Sequence, residues 1–176
     1  TGDAVKGFEI GDRVVVTLIK SCGNCNNCSE GNPTICEDNS NAGPPILSLK
    51  GNTIQQVMNC GAFAEKVVVD QSQIVRLNSD LNFATASLLA CGVITGIGAV
   101  VNAAKLRPGQ DVVVIGAGGV GLNAIQGARI AGARRIVAVD TNNDKLAAAK
   151  EFGATDSVLA TEKSPWRIAK ALVGRG

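Results

Sequence analysis

Six cysteines and no histidine frame the chemistry open to this 176-residue sequence. Four of them, Cys22, Cys25, Cys28 and Cys36, share one polar stretch with the spacing C-x2-C-x2-C-x7-C. Four thiolates within 15 residues suit tetrahedral Zn²⁺, and a full set of four protein ligands is the mark of a closed, structural site. Charge agrees with that reading. Ionising four thiols takes the formal net charge from +2 to −2, and Zn²⁺ returns it to 0. Gly23, Asn24, Asn26, Asn27, Gly31 and Asn32 lie around the cysteines. These residue types tolerate the positive φ angles of tight turns, and such turns aim backbone N–H groups at sulfur. Two disulfides, four free thiols or an iron–sulfur cluster remain the alternatives. A chain expected to be cytoplasmic keeps its thiols reduced, which disfavours disulfides, and the long last gap does not match the ferredoxin run.

A second stretch has a different chemistry. Val112-Val113-Val114-Ile115 reads as a buried strand, Gly116-Ala117-Gly118-Gly119-Val120-Gly121 as a turn, Leu122 to Ala131 as a helix, and Arg135 to Asp140 as a second strand. A strand, then G-x-G-x-x-G, a helix, a strand and an acid is the order of a dinucleotide-binding βαβ unit. Gly116 allows the tight turn, Gly118 lets backbone approach a pyrophosphate, and Gly121 lets the helix pack close to the strand. The helix N-terminus offers N–H groups and a partial positive charge to phosphates. Asp140 follows the last glycine by 19 residues, where its carboxylate can accept hydrogen bonds from a ribose 2′-hydroxyl. That carboxylate would repel a 2′-phosphate, and Thr141-Asn142-Asn143 supply no arginine to bind one. Arg134 precedes the strand and Arg135 opens it, so both belong at its far end. NAD is therefore favoured over NADP.

Two cysteines remain. Cys60 has no ligand spacing around it and reads as a structural thiol. On spacing alone, Cys91, a lone cysteine before a glycine, reads as a core thiol.

The elements that position these residues follow from periodicity and punctuation. Arg13 to Ile19, after a Gly11-Asp12 turn, Gly61 to Val69, and Ile74 to Leu77 read as strands. Asn39 to Thr53 reads as a loop with at most a short strand. A helix runs from Phe83 through Leu89, capped by Asn82 or Ser79, and stops at Ala90-Cys91-Gly92. Thr95 opens another to about Lys105, although Gly96 and Gly98 make a poor helix start, so something must benefit from small side chains there. Arg107-Pro108-Gly109-Gln110 is a turn into the βαβ unit. Asp144 to Phe152 is a helix ended by Gly153, and Ser157 to Ala160 a third strand. Ser164 caps a helix starting at Pro165 and running through Val173, with Trp166, Ala169, Leu172 and Val173 as its buried stripe. Three parallel strands make one half of a doubly wound sheet.

Composition excludes other classes. Hydrophobic residues at 45% and charged residues at 18% describe a chain with a real core, and with only 3% aromatics the aliphatic residues must fill it. Scattered lysines and arginines at a net charge of +2 give no nucleic-acid footprint. Beside the cysteines lie Glu30, Glu37 and Asp38 against only Lys20, which disfavours a zinc-ribbon nucleic-acid binder. No run reaches the roughly 18 apolar residues of a membrane span.

Taken with Gly11-Asp12-Arg13-Val14 and Leu89-Ala90-Cys91-Gly92-Val93-Ile94-Thr95-Gly96, the cysteine stretch and the glycine unit together resemble the zinc-dependent alcohol dehydrogenases of the medium-chain dehydrogenase/reductase superfamily. The resemblance implies an α/β fold: a β-rich remnant of a GroES-like catalytic domain over residues 1–92, with a zinc lobe at 20–38, then the first three-strand βαβαβ half of a Rossmann domain over 93–176. It implies that Cys22, Cys25, Cys28 and Cys36 hold structural zinc. It makes Cys91 the last of three catalytic zinc ligands; alcohol dehydrogenase is itself the standard example of a Cys₂His catalytic zinc. Thr95 and Val120 would line the nicotinamide, which would account for Gly96 and Gly98, while Gly116, Gly118, Gly119 and Gly121 would hold the pyrophosphate. Asp140 and Lys145 would hold the adenosine ribose. The implied reaction moves a hydride between an alcohol, aldehyde or ketone and NAD, with zinc as Lewis acid on the substrate oxygen. A polyol or a thiol adduct of formaldehyde fits the same motifs, and a zinc-stabilised nucleotide-binding regulatory protein is the non-enzyme alternative.

In the family the other catalytic Cys and the zinc-binding His lie upstream, and no histidine here replaces the latter. The chain therefore reads as a central fragment, inactive by itself, of a cytoplasmic homodimer or homotetramer. Its partner would be a small-molecule substrate, with no nucleic acid and no membrane. Without the second half of the sheet, the Val112 to Ile115 strand keeps an unpaired edge.

Overall fold

Residues 1–38, 47–54, 56–77 and 80–174 are described in the structure, a computed structural model. They fall into two compact units, Thr1–Ala90 and Cys91–Gly176.

In the first unit the valine-rich run after Arg13 forms a strand only over Val14–Val16 (β1), because its antiparallel partner Ile74–Arg76 (β4) is no longer. Asp12 at the preceding turn accepts a 2.6 Å ion pair from Arg76, which ties the turn to the end of β4. The expected loop before Thr53 instead contains a hairpin, Leu47–Leu49 (β2) and Asn52–Ile54 (β3); residues 39–46 of that stretch lie outside the described ones. Its two-residue connection, Lys50-Gly51, has φ of 50° and 80°. Positive φ at both positions gives a turn whose twist matches that of paired strands. The strand expected over Gly61 to Val69 does not form. A strand needs a neighbour for its backbone donors and acceptors, and no described residue ladders with this run, which leaves Phe63 and Val68 exposed. Cys60 is buried, its thiol donating to the carbonyls of Met58 and Thr17. Helix Phe83–Ser87 (α2) is capped by Asn82, whose Oδ1 accepts from the Ala84 N–H at 2.8 Å, and continues as a 3₁₀ turn to Ala90. Ser79 lies outside the described residues.

In the second unit helix Gly92–Gly98 (α3) starts three residues before Thr95 and passes into a π turn, Ala99–Ala103. Strand Asp111–Ile115 (β5), helix Gly119–Ile130 (α4), strand Arg135–Asp140 (β6), helix Asn143–Phe152 (α5), strand Asp156–Leu159 (β7) and helix Pro165–Val173 (α6) follow. The three strands are parallel in the order β5-β6-β7, and β5 is an edge. Alternation along β6 sends Ile136 and Ala138 into a cluster with Ile125, Ala128, Leu146 and Ala149, and Val137 and Val139 into another with Val158 and Ala169. Helices thus cover both faces, as a parallel sheet requires.

Two expectations for α6 change. Ser164 sits at φ 61° and its side chain caps nothing. Trp166 is exposed, with the Arg167 guanidinium 5.0 Å from its ring, because the cluster beneath α6 reaches Ala169, Leu172 and Val173 but no further. Among the described residues no single helix is long and apolar enough to cross a membrane.

Gly96 of α3 and Gly127 of α4 have a packing cause. A Cβ on Gly96 would lie 2.5 Å from the Val120 carbonyl oxygen and 2.7 Å from the Ala124 nitrogen. One on Gly127 would lie 3.1 Å from the Ile97 Cα. Backbone therefore meets backbone where α3 crosses α4, and the helix propensity given up at Gly96 allows that approach. Room for a cofactor, the reason expected from sequence, is not what Gly96 supplies, and a Cβ on Gly98 would meet only Asn102 Nδ2, at 3.8 Å.

Candidate functional site

The four lobe cysteines are brought together by two short turns. A single helical turn, Asn26–Ser29 (α1), has Cys25 at its N-cap and carries Cys28, and a 3₁₀ turn, Pro33–Ile35, delivers Cys36 at its end. Gly23 and Gly31 take φ of 74° and 83°, so these two glycines supply the left-handed positions, and the asparagines do not need them. Asn27 fastens the halves together through Nδ2, donating to the Ile35 carbonyl at 2.9 Å and to Glu37 at 3.1 Å.

The ligand atoms of Cys22, Cys25, Cys28 and Cys36 all lie within 4.8 Å of one another, and none is in a disulfide. Tetrahedral zinc with Zn–S of about 2.3 Å has sulfur–sulfur edges of about 3.8 Å; the Cys25 and Cys36 sulfurs are 3.9 Å apart. Backbone N–H groups point at the sulfurs: Cys25 and Asn24 to Cys22 at 3.3 and 3.4 Å, Cys22 to Cys36 at 3.4 Å, and Glu37 to Cys25 at 3.5 Å. Donors aimed at sulfur stabilise thiolate, and those of Glu37 and Cys28 pull the Cys25 thiol down to about 6. Desolvation, with the neighbouring thiols, pushes Cys28 up to about 12. A cation among them would relieve that competition. Among the described residues this is the one group of three or more potential metal ligands so gathered. The donor set therefore fits zinc.

The glycine turn is built as its spacing requires. Gly116 has φ of 91°, and its N–H donates to the Val139 carbonyl at 2.7 Å, fixing the turn to β6. Gly118 is the N-cap of α4 in extended conformation, and no side chain caps the helix. A Cβ on Gly118 or Gly119 would meet nothing within 4 Å, so the approach to this N-terminus is open. A Cβ on Gly121 would lie 1.7 Å from the Gly116 carbonyl oxygen. The helix N-terminus, with its unsatisfied N–H groups, is a ready anion site.

Asp140 ends β6 and is largely buried. Its Oδ2 accepts from the Ala117 N–H at 2.7 Å and its Oδ1 from the Asn142 N–H at 3.0 Å. These backbone donors, with smaller help from the Lys145 charge, hold its carboxyl below the usual carboxylate range. A carboxylate has about four acceptor positions, so two donors leave capacity for hydroxyls. Lys145 is exposed in the first turn of α5. Arg134 and Arg135 are engaged at the opposite ends of the strands, with Asp111 at 2.6 Å and Asp156 at 3.7 Å.

Cys91 is exposed at the N-cap of α3. Thr95 lies one turn on, its N–H bonded to the Cys91 carbonyl at 3.0 Å. Through the close approach of Gly96 to Val120, the α3 turn bearing Thr95 stands against the first turn of α4. Sequence reading had missed Asn142, which caps α5; the signal was an Asx residue just before the helix.

A glycine turn of the dinucleotide-binding type on a parallel sheet and a four-cysteine lobe fit for zinc thus occur in one chain. Residues 1–79 match the family model for the alcohol dehydrogenase GroES-like domain, and residues 119–176 that for zinc-binding dehydrogenases. The chain is 38% identical over 164 residues to alcohol dehydrogenase 6 of Peromyscus maniculatus, covering 89% of this chain and 44% of that protein. It is 39% identical over 165 residues to the S-(hydroxymethyl)glutathione dehydrogenase of a Synechocystis strain, covering 89% and 45%. Among solved structures, benzyl alcohol dehydrogenase from Acinetobacter calcoaceticus aligns with TM-score 0.86 and 31% identity over 98% of this chain and 48% of that one. A zinc-binding alcohol dehydrogenase domain protein from Burkholderia ambifaria aligns with TM-score 0.87 and 30% identity over 99% and 50%. The chain belongs to the zinc-dependent alcohol dehydrogenase family of the medium-chain superfamily, and spans about half the length of the relatives it matches.

Proposed function

We propose that these residues form the cofactor grip and the structural zinc lobe of an oxidoreductase that moves a hydride between an alcohol or aldehyde and NAD. The observation that carries this reading is the 2.7 Å hydrogen bond from the Ala117 N–H to Asp140 Oδ2. It makes the phosphate turn and the ribose carboxylate one preorganised unit. Gly116, Gly118, Gly119 and Gly121 shape the turn, the α4 N-terminus receives the pyrophosphate, and Asp140 with Lys145 takes the adenosine ribose. Thr95 and Val120 flank the nicotinamide. Asp140 favours NAD over NADP by charge.

Cys22, Cys25, Cys28 and Cys36 hold the structural zinc. Cys91 offers one thiolate to a catalytic zinc, and with no histidine in the chain a Cys₂His set is not completed by these residues. When bound, NAD supplies the hydride acceptor and the catalytic zinc supplies Lewis acidity at the substrate oxygen. The domain assignment of residues 1–92 and 93–176, a cytoplasmic setting and a homodimeric or homotetrameric whole belong to the same reading. Primary alcohols and a thiol adduct of formaldehyde are the substrates to try first, the latter because one relative is an S-(hydroxymethyl)glutathione dehydrogenase.

The test is a chimera in which this chain replaces the matching segment of the Synechocystis relative. It is expected to reduce NAD with that enzyme's substrate, and Cys91→Ala in the chimera to abolish turnover while NADH still binds. A folded chimera that retains zinc and binds NADH yet forms none from substrate would contradict the reading.

A further inference from the structure

From the hydrogen bonds around β6 and α5 we infer that Asn142 is a positioning residue for cofactor recognition, locking Asp140 and Lys145 into one arrangement that reads the adenosine 2′-hydroxyl. The inference rests on the NAD reading above and concerns a residue whose side-chain oxygen is engaged by the first turn of α5. Asn142 is extended, at φ −118° and ψ 124°, between the end of β6 and the start of α5. Its backbone N–H donates to Asp140 Oδ1 at 3.0 Å. Its side-chain Oδ1 accepts from the N–H groups of Asp144 at 2.7 Å and Lys145 at 3.3 Å. One residue thus grips the ribose carboxylate with its main chain and the first turn of the lysine's helix with its side chain.

The geometry gives the link its effect. The other Asp140 oxygen is held by Ala117 in the glycine turn, and the Thr141 N–H acts on the carboxylate more weakly than that of Asn142, so the Asn142 N–H is the main restraint on where Oδ1 points. That N–H is fixed because the Asn142 side chain is pinned to α5. Without the side chain, the chain between Asp140 and α5 loses its anchor, and the carboxylate and ammonium no longer keep a common register. A hydroxyl accepted by a misplaced carboxylate contributes less, whereas the pyrophosphate grip of α4 is untouched. The expected signature is a selective loss of 2′-hydroxyl recognition.

Calorimetric titration with NADH and with its analogue lacking the adenosine 2′-hydroxyl reads this directly. The unaltered chain should favour NADH by about tenfold, the worth of a hydrogen bond to a charged acceptor. Asn142→Ala should shrink that ratio to about threefold or less, and Asn142→Ser, which keeps a capping acceptor, should restore it. Gly153→Ala is the matched control. Gly153 ends the same helix at φ 119°, so the substitution weakens α5 from its far end and should leave the ratio unchanged. If Asn142→Ala and Gly153→Ala weaken both ligands alike with the ratio intact, Asn142 is only a helix cap and the inference is overturned. If the unaltered chain binds neither ligand, the cofactor reading itself fails and takes the inference with it. If it binds both equally, the ribose role of Asp140 fails instead.

Discussion

Gly121 and Gly116 are in backbone contact: a Cβ added to Gly121 would stand 1.7 Å from the Gly116 carbonyl oxygen. No rotamer relieves such an overlap, so the first turn of α4 and the glycine turn would have to separate. Gly121→Ala is expected to destabilise the second unit by about 3 kcal/mol or more, at the upper end of overpacking costs, and to lose NADH binding with it. Gly118→Ala is the contrast. Its Cβ meets nothing and its backbone angles suit alanine, so its melting temperature should be close to that of the unaltered chain while NADH affinity falls at least about tenfold. Thermal melts and titrations of the two variants separate the structural glycine from the one that makes room for phosphate.

At Gly96 two effects of an added methyl oppose each other. Helix propensity alone would favour alanine by about 1 kcal/mol, but the added Cβ would fall 2.5 Å from the Val120 carbonyl. Overpacking of about 1–3 kcal/mol outweighs that gain, and a lower midpoint in urea denaturation is expected. Gly98→Ala, where the nearest atom is 3.8 Å away, should be neutral or mildly stabilising.

The contrast between these glycines explains what was legible in the sequence. The βαβ unit was, because β-branched runs, G-x-G-x-x-G and a terminal acid each follow from local rules that agree with the fold, and β6 spans the residues expected. The cysteine lobe was legible from ligand count and spacing. Gly96 was misread because its purpose is set by α4, a partner that nothing local reveals. The Gly61 to Val69 run looked like a strand because its composition suits one, but a strand exists only when another pairs with it. Trp166 was assigned to a buried stripe by period alone, which cannot say where the cluster beneath a helix ends.

The lobe geometry predicts one zinc per chain by native mass spectrometry. Cys25→Ser should lose it, since three thiolates and a hydroxyl make a poorer set, and Cys60→Ser, which alters a buried thiol outside the lobe, should retain it. Two zinc ions would mean that Cys91 finds further ligands; none would overturn the structural site.

Acid should weaken the second unit through Asp140. Its folded carboxyl titrates below its ordinary value, mainly through the Ala117 N–H. Its contribution to stability is therefore complete above about pH 4, the unfolded value, and is lost as pH falls through the lower folded value. Asp140→Asn should be less stable near neutrality and lose less of its remaining stability on acidification, as stability curves at successive pH values would show.

Cofactor choice is the central property of this site, and calorimetric titration of the zinc-loaded chain with NADH and NADPH measures it. The buried Asp140 carboxylate, with Arg134 and Arg135 tied at the other ends of the strands, predicts saturable NADH binding and NADPH at least about tenfold weaker, the effect of placing a phosphate against a carboxylate. Equal or tighter binding of NADPH, or no binding of either, would contradict it.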